Sequence, residues 1–365
     1  MVRAQNAEER GASKDVNALG ERIAALIAAQ GPISVAQFMT MALHDPRAGY
    51  YATRDPFGRG GDFTTAPEIS QMFGELLGLW IAQCWHDQGK PHARLVELGP
   101  GRGTLMRDAL RAIRSAMPAF LESVEIALVE ASPTLQKIQA ETLSGFTPRW
   151  TTHFDNSLSD RPLFLLANEF FDALPVNQYV NTERGWRERM VTLDDTGALT
   201  FAVSPLTAPV GFIPANRQAA PLGAFYETSP TSTALMQQSA EIISQKGGAA
   251  LIIDYGYGAD AGFGETLQAV RAHKFAPVLD APGEADISAH VDFAALTKAA
   301  HAGGANAFGP ISQGHFLIAL GIAQRAQRLQ QPKERERLTA ADQMGTLFEA
   351  LAIMPKNAPL PPGFA

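Results

Sequence analysis

At 365 residues the chain is long enough for one large domain with insertions, or for two. Its 46 % hydrophobic and 18 % charged content is that of a globular protein, and 37 Asp plus Glu against 30 Lys plus Arg argues against phosphate-driven nucleic-acid binding. No uninterrupted apolar run reaches the roughly 20 residues of a membrane span. The single cysteine, Cys84, forms no internal disulfide and supplies no zinc framework, so a reducing cytoplasm is the expected setting.

Residues 1–14 are polar and read as a frayed terminus. Glu8, Glu9 and Asp15 precede the first apolar run, which fits neither a secretory signal nor an acid-poor transit peptide and points to a cytoplasmic, bacterial-type protein. Asp15 is the expected N-cap of a helix through Gln30, with Leu19, Ile23, Leu26 and Ile27 on one face and Gly31-Pro32 as its stop. Ile33-Ser34 opens a second helix to about Leu43, and a turn at 45–49 leads into Tyr50-Tyr51.

Residues 57–70 read Phe-Gly-Arg-Gly-Gly-Asp-Phe-Thr-Thr-Ala-Pro-Glu-Ile-Ser. This stretch is too rich in glycine for a strand and too long for a simple turn. It is read as a flap over a ligand in preference to a plain connector, with Asp62 and Thr65 as its polar contacts. It feeds a helix over 70–88 with Phe73, Leu76, Leu77, Trp80 and Ile81 as an apolar stripe, and Cys84 belongs to that core.

The apolar segment Arg94-Leu95-Val96-Glu97-Leu98 then runs into Gly99-Pro100-Gly101-Arg102-Gly103-Thr104 and a helix over 105–117. This is the strand, glycine turn and helix of a nucleotide-type binding unit. Gly99, Gly101 and Gly103 free the turn from Cβ constraints and let a ligand approach the main chain. The dinucleotide spacing is broken, because Thr104 stands where the third glycine belongs. Glu97 at the strand end repels a pyrophosphate and suits a cationic, hydroxyl-bearing ligand such as S-adenosylmethionine. A second strand over 124–129 ends in Glu130, placed to accept from two ribose hydroxyls, and Ser132-Pro133 caps the next helix.

A third apolar strand over 162–167 runs into Asn168-Glu169-Phe170-Phe171-Asp172-Ala173-Leu174-Pro175. In a parallel sheet its carboxyl end faces the same crevice as the glycine turn. Asn168 is a second-rank cofactor candidate there, as Asp62 is on the flap. Glu169 and Asp172, three residues apart, point the same way if the loop makes one helical turn, and they are the candidate catalytic pair.

Residues 176–203 alternate as strands about a hairpin turn at 194–197, and 205–221 is a Pro/Ala/Gly-rich connection. A helix over 233–246 closes at Gly247-Gly248, and a buried-type strand over 249–253 ends in Asp254-Tyr255-Gly256. The remainder is expected to hold a helix from its cap Ser288 to His301, a short strand over 305–308 and a helix over 313–329. A charged link at 331–337, a helix near 338–345 and a last strand near 348–353 complete it. The organisation expected is a helical extension with the flap over 1–90, a core over 91–175 and 247–355, and an inserted subdomain over 176–246.

Five blocks together resemble one family, the MidA-like methyltransferases, over residues from about 16 to about 355. They are 60–70 (Gly-Gly-Asp-Phe-Thr-Thr-Ala-Pro-Glu-Ile-Ser), 97–104, 168–175, Ile253-Asp254-Tyr255-Gly256, and 286–293 (Asp-Ile-Ser-Ala-His-Val-Asp-Phe). The resemblance implies an α/β fold with the Rossmann-like, seven-stranded sheet of class I methyltransferases, a helical N-terminal extension and an inserted β subdomain. It implies S-adenosyl-L-methionine as cofactor and a protein arginine as acceptor. The family includes the mitochondrial complex I assembly factor that methylates an arginine of a complex I core subunit, so a respiratory complex I subunit is the implied partner. Left open beside this reading are a small-molecule methyltransferase, a dinucleotide oxidoreductase, disfavoured by Thr104 and Glu97, and a non-catalytic assembly scaffold on the same fold.

Overall fold

The computed structural model describes residues 17–53, 64–258 and 264–364. The expected cap Asp15 and the flap residues up to Phe63, Asp62 among them, lie outside the described residues. The central sheet is built on β1 (Ala93–Leu98), β2 (Val124–Val129), β3 (Arg149–Thr151), β4 (Leu163–Asn168), β5 (Gly248–Tyr257), β6 (Asn306–Ser312) and β7 (Phe348–Met354). Its order is β6-β7-β5-β4-β1-β2-β3. β1 pairs in parallel with β2 and β4, and so do β2 with β3 and β4 with β5, while β7 runs antiparallel to both β5 and β6. An eighth short strand, Val291–Asp292, pairs with β5 off this path.

The strands are apolar runs because both faces of the sheet are covered. Every residue of β1 is buried, as are all of β4 up to Asn168. Leu95, Phe164 and Leu251 turn to one core, under the helices Gln71–Asp87 and Thr104–Ala116. Val96, Leu165 and Ile252 turn to the other, under Pro230–Lys246 and Phe293–Ala302. The first pair of helices approaches closely at Gly78, where a Cβ would stand 2.6 Å from Cα of Ala109. No side chain larger than hydrogen fits that crossing without moving backbone.

Outside this sheet, Ile33–Ser34, Asn177–Thr182, Gly185–Leu193, Leu199–Thr207 and Phe225–Thr228 form a second, five-stranded sheet. Ile33 pairs with Val191 and Ser34 with Met190, so the N-terminal region is stitched to the chain after β4. Leu19, Ile23, Phe38, Val191, Ala269 and Ile287 share one buried cluster, which joins the helices Ala18–Gln30 and Val35–His44 to this sheet and to a three-stranded one of Gln268–Arg271, Lys274–Ala276 and Asp286–Ser288. The helix Tyr50–Thr53 is thereby delivered beside the 281–289 segment.

Several local expectations are corrected. Asn17, whose side chain accepts from the Gly20 N–H at 2.8 Å, caps the first helix. Ser288 lies in the strand Asp286–Ser288, and Asp292 caps the following helix by accepting from the Ala295 N–H. The helix expected over 313–329 breaks into Gln313–Ala319 and Ile322–Leu329 because Gly321 adopts φ +88° between them. The charged link at 331–337 is a helix, Pro332–Thr339, with proline in its first turn where no N–H partner is lost.

Candidate active site

The strand order reverses between β1 and β4, because the chain leaves β1 toward β3 and returns to β1's other side. Open α/β sheets bind ligands at the carboxyl ends of the strands flanking such a reversal. Here those ends carry the glycine turn after β1 and the 168–172 loop after β4.

Glu97 is 3 % exposed, and burial alone pushes its carboxyl up to about 8. Its Oε2 has no hydrogen-bond partner among the described residues. Gly99, Gly101 and Gly103 follow with φ of 58°, 54° and 80°, and Gly103 stands at the N-cap of Thr104–Ala116. At the end of β2, Glu130 Oε1 accepts from the Ser132 N–H at 2.8 Å and Oε2 from Gln139 Nε2 at 3.0 Å. Burial raises the Glu130 carboxyl and these bonds oppose the rise. Gln139 Nε2 also donates to the Gly101 carbonyl at 2.7 Å, and its Oε1 accepts from Trp150 Nε1 at 2.8 Å. One amide thus ties the acid after β2 to the turn after β1.

At the end of β4, Asn168 Nδ2 donates to Glu169 Oε1 at 3.1 Å, while Asn168 Oδ1 is buried without a partner among the described residues. Glu169 holds φ +51°, a left-handed conformation uncommon for a residue with a Cβ. The cause lies next door. Asp254 on β5 is fully buried, and its Oδ2 accepts from the N–H groups of Phe170, Phe171 and Asp172 at 3.1, 2.9 and 3.3 Å. That carboxylate gathers the loop amides into a tight curl. Within the curl Asp172 lies close enough to Glu169 to raise its carboxyl electrostatically.

Burial pushes Glu169 up to about 7, and Asp172 and Asp286 add to the rise. Burial likewise pushes Asp172 up to about 6, against hydrogen bonding from Tyr255. Asp172 is 8 % exposed and its Oδ1 has no partner among the described residues. Two acids titrating near neutrality at a ligand crevice can both hold a cation and take up a proton.

The short helix Ala66–Ile69 bridges both halves. Its Ala66 N–H donates to Glu169 Oε1 at 3.1 Å, and Glu68 Oε1 accepts from the Thr104 hydroxyl. Glu97, the three glycines, Asn168, Glu169 and Asp172 therefore meet at adjoining strand ends, with Glu130 one strand over. Gln139, Asp254 and Tyr255 were not singled out for a role by sequence reasoning. Asp254 had a signal, an acid closing a buried strand before glycine. Gln139 had none, since nothing in its helix marks one glutamine among several polar residues.

The donor set fits an S-adenosyl ligand. Among the described residues, Glu97 Oε2 and Asn168 Oδ1 are buried acceptors without partners beside a turn of left-handed glycines. An ammonium and ribose hydroxyls are donors that such acceptors complete, whereas a pyrophosphate would face two carboxylates.

Residues 76–311 match a family described as "Putative S-adenosyl-L-methionine-dependent methyltransferase". The chain is 41 % identical over 335 residues to "Protein arginine methyltransferase NDUFAF7, mitochondrial" of Danio rerio, covering 85 % of this chain and 78 % of the relative. The protein of that name from Homo sapiens is 37 % identical over 371 residues, covering 90 % and 81 %. Among solved structures, a "likely methyl transferase from Burkholderia thailandensis bound to S-adenosyl-homocysteine" superposes with TM-score 0.81. It is 29 % identical and covers 95 % of this chain and 94 % of its own.

Proposed function

The chain belongs to the family of S-adenosyl-L-methionine-dependent methyltransferases, and from that premise we propose that it methylates an arginine side chain of a partner protein. The observation that carries the arginine reading is the acidic curl after β4, where Glu169 and Asp172 stand beside the cofactor turn with no cation paired to them among the described residues. A guanidinium presents a planar fork of donors that carboxylates match.

In this reading Glu97 holds the ammonium end of the cofactor, the backbone of Gly99, Gly101 and Gly103 lies against it, and Glu130 holds the ribose. Asn168 adds an acceptor between the two halves, and Asp62 on the flap remains a candidate. When bound, the cofactor supplies a sulfonium methyl already activated for transfer. The protein's work is then to place the acceptor nitrogen and to receive its proton. Glu169, near pH 7, is suited to take that proton, and Asp172 to orient the fork.

The seven-strand path with an antiparallel β7 supports assignment to the Rossmann-like class I methyltransferases. The shared core of the N-terminal helices and the second sheet supports a substrate-facing region made from the extension and the 176–246 insertion. We propose a cytoplasmic setting and a core subunit of respiratory complex I as the acceptor, on the strength of the sequence blocks. No described helix is long and apolar enough to cross a membrane.

The test is transfer from radiolabelled S-adenosyl-L-methionine into whole-cell lysate, followed by acid hydrolysis. Label in methylarginine supports the reading. Label confined to small molecules would favour a small-molecule acceptor, and no label with intact cofactor binding would favour a scaffold.

A further inference from the structure

We propose that Tyr51 and Asp286 form a second wall of the acceptor pocket and make it select a guanidinium over an ammonium. This rests on the arginine reading. The Tyr51 hydroxyl donates to Asp286 Oδ1 at 2.8 Å, joining the N-terminal extension to the strand Asp286–Ser288 across 235 residues of sequence.

That strand is strapped along the acidic curl. The Ala289 N–H donates to the Asp172 carbonyl at 3.0 Å, and the Tyr255 and Ser288 hydroxyls are hydrogen-bonded to each other. Asp286 lies close enough to Glu169 to act on it electrostatically, and Asp172 lies close enough to act on Tyr51. Tyr51 is itself held, stacked on His44 with ring centroids 5.7 Å apart and edge-on to Tyr50 at 5.3 Å.

A wall of this kind needs a ligand to complete it. Asp172 Oδ1 is buried without a partner among the described residues, in a residue only 8 % exposed. Carboxylates contributed by both the curl and the strand Asp286–Ser288 would serve a flat cation whose donors point outward in several directions. An ammonium radiates its three donors from a single atom, so it spans two walls less readily than a guanidinium, whose donors are spread over three nitrogens in one plane. Tyr51 fixes the rotamer of Asp286, so the second side is preorganised and the pocket loses little on binding.

The experiment uses the protein saturated with S-adenosylhomocysteine and two probes, acetyl-Gly-Arg-Gly-amide and acetyl-Gly-Lys-Gly-amide, with calorimetric binding and methyl-transfer kinetics. Wild type should prefer the arginine probe about tenfold or more. Asp286→Asn and Tyr51→Phe should each raise KM for it about tenfold while kcat changes less, and should shrink the preference for arginine. Affinity for S-adenosylhomocysteine, unchanged in both variants, certifies the fold, and Tyr51→Phe keeps the stacked ring. If both variants keep the wild-type KM and preference, this wall is overturned. If wild type neither binds nor methylates the arginine probe or arginine in lysate protein, the arginine reading falls, and this inference with it.

Discussion

A Cβ placed on Gly99 would stand 2.7 Å from Cδ2 of Phe170. The first residue of the cofactor turn is thus packed against the loop that carries Glu169 and Asp172, and the two halves of the site are one mechanical unit. Gly99→Ala meets both the ring and a φ of 58°, which alone costs about 1–2 kcal/mol for a residue with a Cβ. The variant should lose cofactor affinity and methyl transfer together. Gly99→Ala with Phe170→Ala should recover part of the transfer and leave the φ strain. Calorimetry with S-adenosylmethionine and a transfer assay on the same preparations check this.

Glu130→Ala should weaken S-adenosylmethionine by about 1.5–3 kcal/mol if the carboxylate carries charge-assisted bonds to the ribose. Gln139→Ala should give a smaller loss by a different route. It frees both the Glu130 carboxylate and the Gly101 carbonyl, which one amide holds at 3.0 and 2.7 Å. Because part of the Gln139 effect runs through Glu130, the double variant should lose less than the sum of the two single losses. Additive losses would separate the two residues. The readout is the dissociation constant at fixed salt, with far-ultraviolet circular dichroism to confirm folding.

The strands and the crevice were legible because a parallel sheet writes itself as apolar runs closed by acids and glycines. Leu163 to Ala167 and Leu251 to Ile253 could be read directly. The acids at those ends were legible for the same reason, since a carboxylate at the end of a buried strand has few roles. Asp254 was seen as part of a motif without its task, because three N–H groups from a loop 82–84 residues away are a tertiary fact. Tyr51 was passed over as a turn residue, since its partner Asp286 lies 235 residues on. Ser288 was misread as a cap because serine before a helical pattern is locally persuasive. Pairing of Asp286, Ile287 and Ser288 with the strand Gln268–Arg271 overrode that preference.

Asp254→Ala should cost more than a buried side chain of its size, because it leaves the N–H groups of Phe170, Phe171 and Asp172 without their acceptor. A buried donor without a partner costs roughly 1–3 kcal/mol. Asp254→Asn keeps one oxygen for the loop amides and should retain most of the stability. Both should reduce methyl transfer more than cofactor affinity, since the curl holds Glu169 and Asp172 and lies beyond Glu97 and Glu130. Thermal melting and transfer rate, compared between the two variants, separate support of the loop from a direct role in the reaction.

Burial raises Glu169 from 4.5 to about 7 and Asp172 from 3.8 to about 6, so both keep their protons in the folded state where the unfolded chain has lost them. Between about pH 4 and pH 7 the unfolded state therefore binds fewer protons, and these two groups subtract stability as pH rises through that window. Binding of a cationic acceptor runs the other way, strengthening as the carboxylates ionise between about pH 6 and 7. Transfer to an arginine acceptor should accordingly rise with pH through that range in wild type. Glu169→Gln keeps size and most hydrogen bonding, including an oxygen for the Ala66 N–H, and removes both the charge and the proton acceptor. Its transfer rate should fall by about 10²-fold or more, as general-base losses do, with the upper part of the pH rise removed. Its melting temperature at pH 8 should not fall below wild type, because a buried ionised carboxylate has been replaced by a neutral amide. Asp172→Asn should lose transfer likewise and leave the limb near pH 7 in place. Cofactor affinity should stay near wild type in both, since neither residue lies on the Glu97 side of the crevice. Near-normal transfer by both variants on an arginine acceptor would remove this pair from the mechanism and leave Asp172 as a loop residue alone.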